Sequence, residues 1–412
     1  MQTQLADWIR DTPEGKDADA ILRKCVHCGF CTATCPTYQL LGDELDGPRG
    51  RIYLMKQMLE GGAITAKTQL HLDRCLTCRN CETTCPSGVQ YGRLLDIGRK
   101  LVDDRVQRPL GQRLVRAALK NGLTSPLFAP AMRIGQALRP LLPAALKAKI
   151  PARRAPGTFP TRAHTRRMIL LEGCVQPAMA PNINTATARV LDALGIELVR
   201  PAGAGCCGAI RYHLSDHDGG LNDARRNIDA WWPLVEAGAE ALVINASGCS
   251  LQVKEYGHLL ARDPEYAARA QRISELTQDV AELLPALGDD LRRRLGTETT
   301  GKVVFHSPCT LQHGLKVRGA VEALLSSLGA TVAAVAESHF CCGSSGTYSV
   351  LQPELSIELR DRRLGHLEAP GPDAILSANI GCITHLQSGT ETPVMHWIEW
   401  LDARLNPRRP ES

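Results

Sequence analysis

In the second half of the chain, short apolar runs alternate with stretches whose apolar residues recur every three or four positions. "RMILLEGC" (167–174) and "KVVFHSPC" (302–309) each contain a short apolar run, MILL and VVF, and end at a cysteine. "NTATARVLDALG" (184–195) and "GAVEALLSSLG" (319–329) follow them with helical periodicity and a terminal glycine. "IELVRPAGAGCCG" and "ATVAAVAESHFCCG" lead from a further apolar run into Cys-Cys-Gly, and "ALVINASGC" and "DAILSANIGC" close the pattern on another cysteine. Short strands alternating with helices predict a parallel sheet covered by helices. Ligands of such sheets gather beyond the carboxyl ends of the strands.

The cysteines show that this plan occurs twice. Cys174, Cys206, Cys207 and Cys249 match Cys309, Cys341, Cys342 and Cys382 at offsets of 135, 135, 135 and 133 residues, a regularity that duplication explains. "GAGCCG" (203–208) also spells a dinucleotide-binding fingerprint, but its counterpart "HFCCGS" keeps only the thiol pair and the glycine. The thiols are what the repeat preserves, so no dinucleotide site is read here. His306, His313 and His385, near the second set, are expected to be ordinary structural histidines.

The first hundred residues follow a different pattern. "DELDGPRGRIYLMKQMLEGG" predicts a helix with Pro48 near its start, Ile52, Met55 and Leu59 on one face, and Gly61 and Gly62 ending it. That helix separates two runs of the form Cys-x-x-Cys-x-x-Cys-x-x-x-Cys-Pro: Cys25, Cys28, Cys31, Cys35, Pro36, and Cys75, Cys78, Cys81, Cys85, Pro86. Three closely spaced thiols can wrap one side of a compact centre. In two-cluster ferredoxins the fourth cysteine ligates the other cluster. This assigns Cys25, Cys28, Cys31 and Cys85 to one 4Fe-4S cluster, and Cys75, Cys78, Cys81 and Cys35 to a second. Zinc, the main rival, takes its thiols as separated pairs. His27, inside the first run, is expected to pack near the cluster.

Composition adds boundaries. The chain has 412 residues, 44% hydrophobic and only 4% aromatic, so an aliphatic core is expected. No run approaches a membrane span, and the opening residues lack a secretory pattern, which predicts a cytoplasmic protein. Sixteen cysteines in a chain of this size point to metal ligation rather than a disulfide scaffold. The charge is uneven: Arg105 to Arg167 holds fourteen Lys or Arg and no acid, although the whole chain is only +5. Prolines at 126, 130, 140, 143, 151, 156 and 160 divide this stretch. It is read as a linker or as a surface docking anionic lipid or an acidic partner. Nucleic acid is not expected, because aromatics for base stacking are nearly absent there.

The expected fold class is therefore α + α/β. A helical two-cluster ferredoxin domain (1–104) precedes a basic Pro-rich segment (105–167) and two Cys-Cys-Gly repeats (168–300 and 301–412).

The twin cluster runs followed by two Cys-Cys-Gly repeats resemble the iron–sulfur subunits of flavin-linked hydroxyacid and polyol dehydrogenases, and among them those of bacterial glycolate oxidases. "LDRCLTCRNCETTCPSGV", "NIDAWWPLVEAGAEA", "SPCTLQHGLK" and "SANIGC" carry the resemblance over nearly the whole chain. It implies a chain that is not catalytic alone. Flavoprotein partner subunits, carrying the flavin, would oxidise glycolate and D-lactate. This chain would pass the electrons toward a membrane quinone acceptor from the inner face of the cell membrane. The wider Cys-Cys-Gly family ends its pattern in Cys-x-x-Cys, whereas Ala246 and Asn379 stand at the first of those positions here. That departure weighs toward thiols that pack as scaffold, with a further metal or redox centre as the other reading. A heterodisulfide or thiol reductase with chemistry at the Cys-Cys-Gly sites is the alternative function.

Overall fold

The computed structural model describes residues 1–143, 150–295 and 298–405. Its strands form two sheets. The first contains β1 (Arg166–Leu171), β2 (Ile196–Val199), β3 (Leu242–Ile244) and β4 (Thr277–Asp279), in the order β2-β1-β3-β4. The second contains β5 (Thr300–His306), β6 (Ala330–Val332), β7 (Ala374–Ser377) and β8 (Val394–His396), in the order β6-β5-β7-β8. Every pairing is parallel. A parallel sheet is covered on both faces, so its inner strands must be apolar on both. Met168–Leu171, all of β3 and all of β7 are buried accordingly. In each sheet the strand order reverses between the first and third strands, which opens a crevice at their carboxyl ends.

The two repeats share a core by exchanging contacts. The helix after β8, Trp397–Leu405, packs on Pro181–Ala193 of the first repeat, and the helix after β4, Val280–Ala286, packs on Ala320–Ser327 of the second. One apolar cluster runs through both, with Val190 and Leu191 on one side and Leu325 and Trp397 on the other, each fully buried. Neither repeat can bury its outer helices alone.

The cysteine runs lie in a helical unit. Helices Pro13–Lys24, Pro48–Leu59, Ala66–Asp73 and Tyr91–Arg105 surround Leu22, Met55, Leu72, Leu94 and Leu95. Pro48 occupies the first turn, where its missing N–H costs nothing, and Ile52, Met55 and Leu59 face inward. The last helix crosses the expected boundary at residue 104, and β1 and β5 begin slightly before the expected repeat starts.

The basic segment contains helices Leu110–Gly122 and Phe128–Leu138. Much of its charge is used within the protein. Arg108 and Arg116 hold Asp73 at 2.5 and 2.8 Å, Lys120 pairs with Asp216, Arg154 with Glu399, and Arg166 with Glu240. The outward face is instead apolar: Leu110, Leu114, Leu127, Ile134 and Leu141 are 62–82% exposed. Lys147 and Lys149 fall outside the described residues. Among the described residues no helix is long and apolar enough to cross a membrane.

Candidate metal centres

Both cluster runs are built the same way. A helix ends, the first cysteine leaves it, and two residues in the left-handed region turn the chain around the next thiols: His27 and Gly29 in the first run, Thr77 and Arg79 in the second. Short helices Phe30–Ala33 and Asn80–Thr84 then carry Cys31 and Cys81. Such a turn points backbone N–H groups inward, toward negative charge. Thr77 N donates to Cys75 Sγ at 3.4 Å.

The fourth cysteine of each run lies with the other run. Cys25, Cys28, Cys31 and Cys85 line one cavity, which Cys81 and Pro86 also line. Burial pushes the Cys31 thiol up to about 11, with Cys25, Cys85 and Cys28 adding to the shift. Burial likewise raises Cys81, whose charged neighbours include Cys78, Cys75 and Cys35. Crowded buried thiols stay protonated unless cations hold them as thiolates, so each set fits a centre that brings its own positive charge. The two sets differ in exposure. Cys28 is exposed beside Val26 and Phe30, whereas Cys75 and Cys81 are buried.

A buried arginine supports the second set. Arg51 is wholly buried; its Nε donates to the His71 carbonyl at 2.7 Å and its Nη1 to Thr37 Oγ1 at 3.1 Å. Burial works to lower its pKa, but the thiols of Cys75 and Cys35, with Tyr91 and Asp46, outweigh that and hold it raised. Asp46, also wholly buried, accepts from Arg51, Arg74 and His71. The Tyr91 hydroxyl donates to Cys75 Sγ at 3.6 Å. Sequence reasoning missed all three residues. The only signal was a charged "RGR" inside an otherwise amphipathic helix.

The Cys-Cys-Gly motifs have a steric cause. Gly208 and Gly343 adopt φ of 87° and 85°, and a Cβ there would come within 2.5 Å of the Gly220 carbonyl and 2.4 Å of the Ser356 carbonyl. Only glycine fits. Each glycine N–H donates at 3.4 Å to the first thiol of its pair, Cys206 or Cys341. Cys174 and Cys309 follow β1 and β5, and Cys249 and Cys382 follow β3 and β7, so the crevice at each strand reversal collects four thiols. In the first repeat, bonds from Cys174 and Cys207 pull Cys206 down to about 3. In the second, bonds from Cys341, Cys382 and His306 lower Cys342.

The repeats meet the cluster unit unequally. The second contacts the loop of the second run directly. Asn80 Nδ2 donates to the His339 carbonyl (3.2 Å), Tyr348 OH to the Arg74 carbonyl (3.1 Å) and Ser345 Oγ to the Leu76 carbonyl (2.5 Å). Leu76, Cys309, Cys341, Tyr348 and Leu359 form one apolar cluster with Cys78 packed against it. The first repeat is tied through charge instead: Glu255 accepts from Arg79 and Arg93, and Asp96 pairs with His213. His313 and His385 have structural partners, Thr83 and the His339 carbonyl for one and Ser356 for the other. His306 differs. It is wholly buried, and a ring nitrogen lies within 4.8 Å of Cys342 and Cys382 and bonds the Cys342 thiol.

Comparison with known proteins agrees with this architecture. Residues 21–89 match the 4Fe-4S dicluster domain family, and residues 168–254 and 303–387 match the cysteine-rich domain family. The chain is 54% identical to the glycolate oxidase iron–sulfur subunit of Escherichia coli (strain K12) over 407 residues, covering 98% of this chain and 99% of the relative. It is 30% identical to the probable glycolate oxidase iron–sulfur subunit of Bacillus subtilis (strain 168), covering 90% and 89%. It is 27% identical to lactate utilization protein A of Exiguobacterium sp. over 239 residues, covering 56% and 94%. With two cluster-type cysteine runs, a doubled cysteine-rich fold and full-length similarity, this chain belongs to the family of glycolate oxidase iron–sulfur subunits.

Proposed function

We propose that the chain is the electron-transfer subunit of a glycolate dehydrogenase complex, taking electrons from flavoprotein subunits that oxidise glycolate, and D-lactate, and passing them toward the membrane quinone pool. The observation that carries this reading is the crossing of the fourth cysteines, which makes two four-thiol sets immediate neighbours. Cys25, Cys28, Cys31 and Cys85 would hold one 4Fe-4S cluster, and Cys75, Cys78, Cys81 and Cys35 the other. Bound there, the clusters supply one-electron transfer and no bond chemistry.

The protein's own residues do the rest. Buried Arg51 offsets negative charge at the second set, and inward N–H groups of the left-handed turns orient the thiols. The exposed Cys28, flanked by Val26 and Phe30 at 67% and 61% exposure, puts the first set at the surface where a partner can dock. Alcohol oxidation removes two electrons together, so a flavin on a partner must receive the pair and release it singly. The apolar face of helices Leu110–Gly122 and Phe128–Leu138, with Arg113 and Arg133 on the same helices, suits attachment to the anionic inner membrane surface. The thiol-reductase alternative fits less well, because both thiols of each Cys-Cys pair, Cys206 with Cys207 and Cys341 with Cys342, are buried, although Cys174 and Cys249 are half-buried.

The experiment is reduction by glycolate under anaerobic conditions, with and without the co-purified flavoprotein partners. The clusters should be reduced only in the complex. Glycolate-dependent dye reduction by the isolated chain would overturn the assignment.

A further inference from the structure

The helix Leu110–Gly122 carries two neighbouring stripes of different character. Leu110 and Leu114 are 68% and 62% exposed. Arg113, Arg116 and Lys120 recur at intervals of three and four residues, so they share the adjoining stripe. That stripe walls a cavity of about 360 Å³, which Asp103 and Arg108, at and beyond the end of the helix Tyr91–Arg105, and Leu214 of the first repeat also line. The volume falls within the roughly 300–1,000 Å³ of small-molecule sites.

Four cations and a single carboxylate line this cavity. Arg108 pairs with that carboxylate, Asp103, at 2.5 Å. The carboxylates behind the wall are divided: Asp73 serves both Arg108 and Arg116, and Asp216 serves both Lys120 and Arg211. Arg113 is exposed and has no carboxylate within ion-pair distance among the described residues. Burial lowers the Arg116 pKa, and the pull of Asp73 and Asp103 does not restore it against Arg108 and Arg99. The cavity therefore holds positive charge that its own carboxylates leave unbalanced. An anion with several acceptor oxygens would complete it, and the paired N–H groups of arginine match phosphate.

The leucine stripe indicates which phosphate. A free phosphate would use the cations alone. A phospholipid would use both stripes, its headgroup phosphate in the cavity and its acyl chains against the leucines beside the mouth. We infer that this cavity binds the headgroup phosphate of an anionic phospholipid, held by Arg113, Arg116 and Lys120, with the acyl chains along Leu110 and Leu114. The inference rests on the membrane attachment proposed above and adds selectivity to it. Exposed leucines enter any bilayer, whereas the cations of the cavity choose the lipid.

The site also bears on the relay. Arg116 holds Asp73 at 2.8 Å. Asp73 stands two residues before Cys75, so their Cα atoms are at most about 7 Å apart. A lipid bound here would seat the second thiol set near the membrane face.

The test is flotation of the anaerobically purified full-length chain with vesicles of phosphatidylcholine alone or mixed with phosphatidylglycerol. Each cation near an anionic surface contributes about 1 kcal/mol, or about fivefold. The wild type should bind the mixed vesicles about tenfold tighter or more, and the gap should close as salt rises. Arg113→Gln should remove most of that preference. So should Ala117→Trp, which obstructs the cavity from its rim without altering charge. Arg133, exposed on the helix Phe128–Leu138, does not line the cavity, so Arg133→Gln should cost no more than the about fivefold of any surface cation. Retained ferredoxin-type EPR signals show that each variant folds. Equal losses in Arg113→Gln and Arg133→Gln, with Ala117→Trp unaffected, mean diffuse attraction and overturn the site. Equal binding of the wild type to both vesicles also overturns it and leaves the attachment standing. Displacement by inorganic phosphate at matched ionic strength makes this a free-phosphate site and overturns the lipid assignment. Binding to neither vesicle refutes the attachment itself.

Discussion

Replacing Arg51 by methionine keeps the length of the side chain and removes its charge and donors. The substitution deletes the bonds to the His71 carbonyl and Thr37 Oγ1 and the contact with Asp46, all inside a fully buried site. Removing one partner from a buried charged network costs about 3–5 kcal/mol, a large share of the roughly 5–15 kcal/mol that holds a domain folded. Asp46 keeps Arg74 and His71, which favours the lower end. The second effect is electrostatic. One unit charge across ~8 Å at an effective dielectric of ~20 is worth about 2 kcal/mol per electron, or about 90 mV for a one-electron couple. The centre held by Cys75, Cys78, Cys81 and Cys35 should therefore fall in potential by that order, while the other centre moves much less. Arg51→Lys separates the two effects: it keeps the charge but not the forked contacts, so stability should drop while the potential is largely retained. Anaerobic urea titration gives the first quantity and redox titration followed by EPR the second. Unchanged potentials in Arg51→Met, with stability within about 1 kcal/mol of wild type, would refute the role assigned to this residue.

Two further outcomes test other parts of the account. Leu114→Asp with Leu127→Asp should release the complex from the membrane fraction, because each leucine side chain withdrawn from an apolar environment forfeits about 1.5–3 kcal/mol; retention of the double variant would move the attachment elsewhere. His396 is wholly buried, and burial lowers its pKa from 6.5 to about 3. Between those values the unfolded chain binds the proton and the folded chain does not, so stability should fall as pH drops below 6.5; His396→Asn should flatten that acid limb, and an unchanged limb would contradict the reading.

The cluster runs were legible because their chemistry is local: three thiols and a proline at fixed spacing need no tertiary context. The helix Pro48–Leu59 was legible for the same reason, with its proline start, inward Ile52, Met55 and Leu59, and glycine stop. The duplication was visible in the offsets, and β1, β3, β5 and β7 in their apolar runs. β4 and β8 were not, since "TQD" and "VMH" are three-residue edge strands with no periodicity to read. Part of the charge of the basic segment could not be placed from the sequence, for a physical reason. The partners of Arg108, Arg116, Lys120 and Arg154 are Asp73, Asp216 and Glu399, residues 35 to 245 positions away, so the sequence displayed as free a charge that folding neutralises. His306 was noted but read as an ordinary structural histidine, and Arg51 was missed likewise. An arginine in a helix reads as a solvated face until packing shows that the face is inward.

The crossed ligation is the central claim, and EPR of paired serine variants tests it most directly. In anaerobically reduced full-length protein, Cys35→Ser should alter the signal of the centre on Cys75, Cys78 and Cys81 and leave the other intact. Cys85→Ser should do the reverse, altering the centre on Cys25, Cys28 and Cys31. If each variant instead perturbs the centre of its own run, the thiols are not exchanged and the account of two interlocked centres is wrong.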